Sequence, residues 1–259
     1  MPILLMVGFT VLLSLATPCC ADQTNGSPIP ISGLSVGVGV NANNPGYVGY
    51  HNQVTPFPLL FYRHGRLFFA GISAGYVVIK GGGYSLSLVV RPRILRLSAS
   101  DSSQLAGLSS RRPSLDGGAV FSTRGHWGTF NVSLFTDLLG RNHGREVDAG
   151  YVYPIHLGAV TLSPGLGVSF ENTSLTYYYY GVSPAETRPG RPAYTPGTAI
   201  NPYVKFGLEF RFGKRWRLFA AISYRRLAAT IQDSPIVDVS HTASETVGIS
   251  YTFGGARRR

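Results

Sequence analysis

Ser183 stands in the run Gly181-Val182-Ser183-Pro184-Ala185, an outline close to the Gly-x-Ser-x-Gly turn that presents a nucleophilic serine, and six histidines are available as bases. Such a turn needs the backbone N–H of the residue after the serine to hold an oxyanion, and Pro184 has none. Of His51, His64, His126, His143, His156 and His241, most fall at expected turns or loops and none aligns with a serine on a neighbouring strand. His143, in "GRNHGRE", stands apart because Arg141, Arg145 and Glu146 surround it, yet it reads as a solvated loop residue. The histidines lack His-x-His and His-x-x-x-His spacing and the carboxylates are dispersed, so no metal site is expected. "KGGGY" and "DGG" lead into no helix and read as tight turns, not phosphate loops. No catalytic residue and no cofactor is therefore expected.

The elements that would position these residues are announced by alternation. In "VKFGLEFRF", Val204, Phe206, Leu208, Phe210 and Phe212 share one face and Lys205, Gly207, Glu209 and Arg211 the other. The same pattern sets Tyr84, Leu86 and Leu88 against Ser85 and Ser87, Val160 and Leu162 against Thr161 and Ser163, and Val247, Ile249, Tyr251 and Phe253 against Gly248, Ser250 and Thr252. The runs reach about ten residues, the length of a tilted strand crossing a bilayer, whereas soluble strands average about five or six. The second face is rich in Gly and Ser, as a narrow barrel interior requires. The fold class is all-β, a transmembrane antiparallel β-barrel of the bacterial outer membrane.

Composition agrees. Charged residues make up 14% of the 259 residues, against about 25% in soluble domains. The net charge of +11 comes almost wholly from scattered arginines with no basic helix, which points to anionic lipid or cell-wall polymer and away from nucleic acid. Residues 1–21 form a secretory leader with an apolar stretch from Ile3 to Leu15 and small residues before Asp22, so the chain divides into a cleaved signal peptide (1–21), a barrel (22–253) and a basic tail (254–259). Both cysteines lie in the leader, which leaves no disulfide for the exported chain.

Short links at "KGGG", "RGHWG", "PIHLG" and "GKRW" alternate with long links at 98–113, 139–145, 181–201 and 229–241, the arrangement of periplasmic turns and extracellular loops. That parity gives ten strands, over 33–42, 66–79, 84–97, 115–124, 127–138, 145–155, 157–172, 202–213, 216–227 and 243–253. "TPFPLLFYRHG" (55–65) is then an outer loop, because Pro56 and Pro58 cannot donate to a ladder. If it and "SLTYYYYG" are both strands, the count becomes twelve. Tyr177–Tyr180 are expected beyond the membrane girdle, on a strand extension projecting outward. Inward charges at Arg91, Arg93, Asp148, Glu171, Glu209, Arg211, Arg217 and Arg225 would form a salt-bridged plug or line a narrow pore.

Two stretches carry a resemblance. "TVGISYTF", with Gly248, Tyr251 and Phe253, resembles the sorting signal of outer-membrane barrels, although "GGARRR" follows it. "YYGVSPAE" (Tyr179, Tyr180, Gly181, Val182, Ser183, Pro184 and two residues more), "GRPAYTPG" (190–197), "GKRWRLFAAISYRRL" (213–227) and "DSPIVD" (233–238) resemble the MipA/OmpV family, the MltA-interacting outer-membrane proteins. "PFPLLFYRHGRLFFAGISAGY" (56–76) and "DLLGRNHG" (137–144) match more loosely. The resemblance implies an integral outer-membrane barrel in contact with lipid and lipopolysaccharide. It further implies a scaffold that joins a murein lytic transglycosylase to a penicillin-binding synthase in cell-wall biogenesis. A narrow selective pore is the alternative, and a lipid-modifying barrel enzyme a third reading.

Overall fold

The computed structural model describes residues 33–50 and 52–254; residues 1–32, with the expected signal peptide, His51 and residues 255–259 of the expected tail lie outside them. Thirteen β segments follow in order: β1 (Leu34–Asn43), β2 (Gln53–His64), β3 (Leu67–Gly71), β4 (Ser73–Lys80), β5 (Tyr84–Arg93), β6 (Ser114–Gly125), β7 (Gly128–Asp137), β8 (Arg145–Val152), β9 (Ile155–Leu157), β10 (Val160–Glu171), β11 (Ala199–Phe212), β12 (Trp216–Arg226) and β13 (His241–Phe253). β8 and β9 both pair with β10, at Gly165–Glu171 and Val160–Leu162, so they are one strand interrupted at Tyr153 and Pro154. The result is a ring of twelve antiparallel strands, closed where Leu34 to Asn43 of β1 meet Phe253 to Ser244 of β13.

Closure turns the alternating pattern inside out relative to a soluble protein. Val38 is 65% exposed and Ile200 61%, on an outer wall that only hydrocarbon can cover, while the neighbouring inward positions are small. A Cβ at Gly37 would stand 2.2 Å from the Ile249 carbonyl oxygen. Phe212, Trp216, Tyr251 and Phe253 make a belt at the short-turn rim, with Trp216 and Tyr251 ring centres 5.0 Å apart. No helix among the described residues is long and apolar enough to cross a membrane.

The ten strands expected from the sequence become twelve. Residues 55–65, assigned to a loop because of Pro56 and Pro58, lie in β2; the prolines are tolerated because Gln53–Leu59 has a strand partner on the β1 side alone. Residues 66–79, read as one strand, reverse at Gly71 (φ +66), a left-handed position that lets β3 and β4 form a tight hairpin. "SLTYYYYG" is no strand either. It forms helix α1 (Thr173–Tyr180), whose first turn is capped by Asn172 accepting from the Leu175 N–H. Leu175, Thr176, Tyr179 and Tyr180 are its buried side, so Tyr179 and Tyr180 fold inward over the mouth instead of projecting outward, while Tyr177 stays exposed.

The long loops therefore build a cap with its own core, in which Leu97, Leu105 and Tyr47 pack with α1 and with Ile231 of the short helix α2 (Ala229–Gln232). Beneath the cap lies a layer of charges. On the β2–β7 side, a second apolar cluster of Leu59, Phe61, Phe68, Val89, Val120 and Phe135 lies inside the barrel. Elsewhere the inward row is small and polar but equally enclosed: Ser35, Ser169 and Asn201 are wholly buried and Thr246 and Ser250 nearly so.

Candidate functional site

Three long loops meet at an outward-facing cavity of about 410 Å³, lined among others by Arg111, Arg141, His143, Tyr178, Ser183 and Glu186. Ser183 and His143, separate signals in the sequence, are thus brought to one site. Ser183 is tied into the backbone of its own loop. Its Oγ donates to Glu186 Oε2 at 3.0 Å and its N–H to the same oxygen at 2.9 Å, while the Glu186 N–H returns a bond to the Ser183 carbonyl at 2.9 Å. Serine and glutamate thereby hold a single tight turn that starts at Pro184.

Glu186 is also the anchor between loops. Arg111 grips it with two nitrogens, at 3.0 and 3.2 Å, and the Ser109 N–H donates at 2.7 Å. Burial pushes the carboxyl pKa up, but the Arg111 guanidinium and the N–H groups of Ser183 and Ser109 outweigh it and hold Glu186 well below the usual carboxylate range. A carboxylate so stabilised is a weak base toward the Ser183 proton, and the arrangement braces the loops against one another.

His143 is the one described non-glycine residue with positive φ, at 48°. Asp137 creates that conformation by accepting from the N–H groups of Leu139, Asn142 and His143, at 3.0, 2.7 and 3.1 Å. Of the charges flanking His143 in sequence, Arg141 lines the cavity and donates to the Pro113 carbonyl. Glu146 turns the other way, into the lumen.

There Glu146 joins Arg91, Arg93 and Asp116. Arg93 Nη2 lies 2.7 Å from carboxylate oxygens of both Asp116 and Glu146, and Arg91 Nη2 lies 3.0 Å from Glu146 and 3.4 Å from Asp116. Arg91 also stacks on Phe135, 3.9 Å from the ring centre, which joins the charged layer to the apolar cluster. Arg225 pairs with Glu171 at 3.2 Å, and Tyr203 donates to Asp148 at 3.0 Å. The salt-bridged plug expected from the inward arginines is present. Asp116 and Glu146 were missing from that expectation, although Asp116 directly opposes Arg91 in the β5–β6 register. Arg211 stands at the rim, 50% exposed and bonded to Glu209.

The other sequence signals fall apart in space. Tyr179 and Tyr180 are buried in the cap, where desolvation raises both phenol pKa values, and Val182 bridges to Tyr194. Gly181 ends α1 because a Cβ there would stand 2.5 Å from the Tyr177 carbonyl. Gly248 faces inward under the Phe219 ring, whereas Tyr251 and Phe253 face out in the aromatic belt. No group of three or more metal-ligating side chains occurs among the described residues.

An apolar outer wall, a lumen crossed by salt bridges and an aromatic belt define an integral barrel of the bacterial outer membrane with a capped mouth. Residues 34–253 match the model of the family described as MltA-interacting protein MipA, and the chain belongs to that family. It is 30% identical over 223 residues to the MltA-interacting protein of Escherichia coli (strain K12), covering 85% of this chain and 90% of that one. It is 28% identical over 147 residues to the outer membrane protein OmpV of Vibrio cholerae, 57% of each chain. Among solved structures it is similar to an outer membrane channel from Pseudomonas putida F1, with 11% identity, a TM-score of 0.47 and coverage of 90% of this chain and 100% of that one.

Proposed function

We propose that the protein is a non-catalytic docking barrel whose periplasmic rim receives a murein-remodelling enzyme. One observation carries this reading: the described turns of that rim hold cations and no carboxylate. Arg66, Lys80, Lys214 and Arg215 are exposed there, and the nearest acid, Glu209, is turned to Arg211 and Arg217. Five long outer loops, by contrast, are packed into one cap and face away from murein. The name of the Escherichia coli relative, MltA-interacting protein, supplies the kind of partner: an enzyme presenting an acidic patch to a basic rim, in which a lytic transglycosylase and a penicillin-binding synthase could be held together.

The test is a crosslinked pull-down with the detergent-solubilised full-length protein, native and with Lys80→Glu, Lys214→Glu and Arg215→Glu combined. The native protein should recover a lytic transglycosylase and the charge-reversed one should not. Equal recovery by both would overturn the reading. The narrow-pore alternative requires the arginine–carboxylate layer to part. Planar-bilayer recording separates the two, since discrete conductance steps altered by Arg217→Gln would favour the pore. We also propose that Gly248, Tyr251 and Phe253 direct insertion, because the two aromatics stand on the outward face at the end of the last strand.

A further inference from the structure

The wall has one stretch where the ladder is incomplete. The β3–β4 hairpin is shorter than its neighbours: on β2 it reaches only Leu60, opposite Gly71, and on β5 only Val90, opposite Ala74. Beyond its tip, Gln53–Leu59 of β2 pair with β1 alone and Arg91–Arg93 of β5 pair with β6 alone. Two strand edges thus face each other across a seam. The seam lies within the lipid-facing band, since Pro58 and Pro56 oppose Val38 and Val40 in the β1–β2 register.

Unpaired backbone in hydrocarbon is costly, and an unpaired edge recruits other strands. The sequence places a proline at each edge that needs one: Pro56 and Pro58 on β2, Pro92 on β5. Each lacks the N–H that would otherwise be stranded or would template an added strand. A strand from a partner protein is therefore a poor occupant. What lies behind the seam is apolar: Phe57 packs against the cluster that holds Leu59, Phe61, Ala70 and Val89, whereas other inward rows carry serine, glycine, asparagine and the charged layer. Three residues past the outer end of β5, Arg96 donates to the Tyr50 hydroxyl at 3.2 Å and keeps a side chain 45% exposed, 3.6 Å from Asp101.

We infer that the seam between β2 and β5 is a lateral entry through which one acyl chain of an anionic outer-leaflet lipid reaches the apolar cluster inside the barrel, with Arg96 beside its headgroup. This site lies at the other end of the wall from the periplasmic rim and stands independently of the docking role.

Benzophenone photocrosslinking in intact outer membranes tests it. The photoreactive residue replaces Phe57, which points inward; Val38, which points to lipid; or Tyr203, which points inward from β11. Lipid adducts are expected at positions 38 and 57 and not at 203. Labelling at 57 no greater than at 203 overturns the inference. A second measurement needs no unnatural residue: native mass spectrometry of the purified full-length protein should show retained lipid that falls several-fold in Ala70→Phe, which adds bulk to the cluster behind the seam, and that loses its anionic species in Arg96→Gln. Retention unchanged in both variants overturns it equally.

Discussion

Glu146→Gln should weaken the barrel more than any loop substitution. Glu146 is 5% exposed and takes a guanidinium nitrogen from Arg91 at 3.0 Å and from Arg93 at 2.7 Å. Each contact is worth about 4 kcal/mol in gross Coulomb terms at an effective dielectric near 20, most of which desolvation offsets. Removing one partner from a buried pair instead leaves charge uncompensated, at about 3–5 kcal/mol. Two arginines and two carboxylates balance in the native layer; in the variant, Asp116 alone must hold both cations, at 3.4 and 2.7 Å. Because Asp116 remains in place, the expected loss is at the lower end, about 3 kcal/mol. Urea unfolding in lipid vesicles, followed by emission of Trp127 and Trp216, measures it. Arg93→Met with Glu146→Leu, which removes a cation and an anion together, should recover more than half of the loss. A change within about 0.5 kcal/mol, the range of surface substitutions, would refute a charge layer that holds the lumen shut.

Gly248→Leu should destabilise by about 1–3 kcal/mol, because even a Cβ would stand 2.1 Å from the Phe219 ring, and Phe219→Ala in the same chain should restore part of it. Phe253→Ala leaves that packing alone and should lower the yield in the outer membrane, measured by fractionation, without a comparable loss in unfolding experiments. Glu186 sets a pH response of the cap. Its folded pKa is depressed, so its contribution is complete above the unfolded value of about 4.3 and is lost as pH falls toward the folded one. Protection of the Ser109 and Ser183 amides, corrected for intrinsic exchange, should therefore fall on acidification below about pH 4, and Glu186→Gln should show the lower protection already at neutral pH.

Much of the barrel was legible because its signal is local. Successive side chains on a strand must point to opposite faces, so "VKFGLEFRF" declares two faces without reference to any partner. The turn chemistry was legible for the same reason: Gly158 and Gly213 have φ of 64° and 63° with no atom near a Cβ, so backbone conformation alone requires them. α1 carried a local signal that the tyrosine run masked. Asn172 is a helix cap, and Leu175, Thr176, Tyr179 and Tyr180 have helical spacing.

The alternating sequence by itself determined that the chain is a barrel, which face meets lipid and which rim carries the short turns. Only the tertiary structure decided how many strands close it, because Pro56 and Pro58 forbid pairing on one edge and not strand conformation, and the free edge exists only where the β3–β4 hairpin falls short. It also decided that Glu146 belongs to Arg91 and Arg93 and not to His143, and that Ser183 belongs to Glu186. Those pairings join residues of different strands and loops, and the register that sets them is a property of the closed ring, which no window of sequence contains.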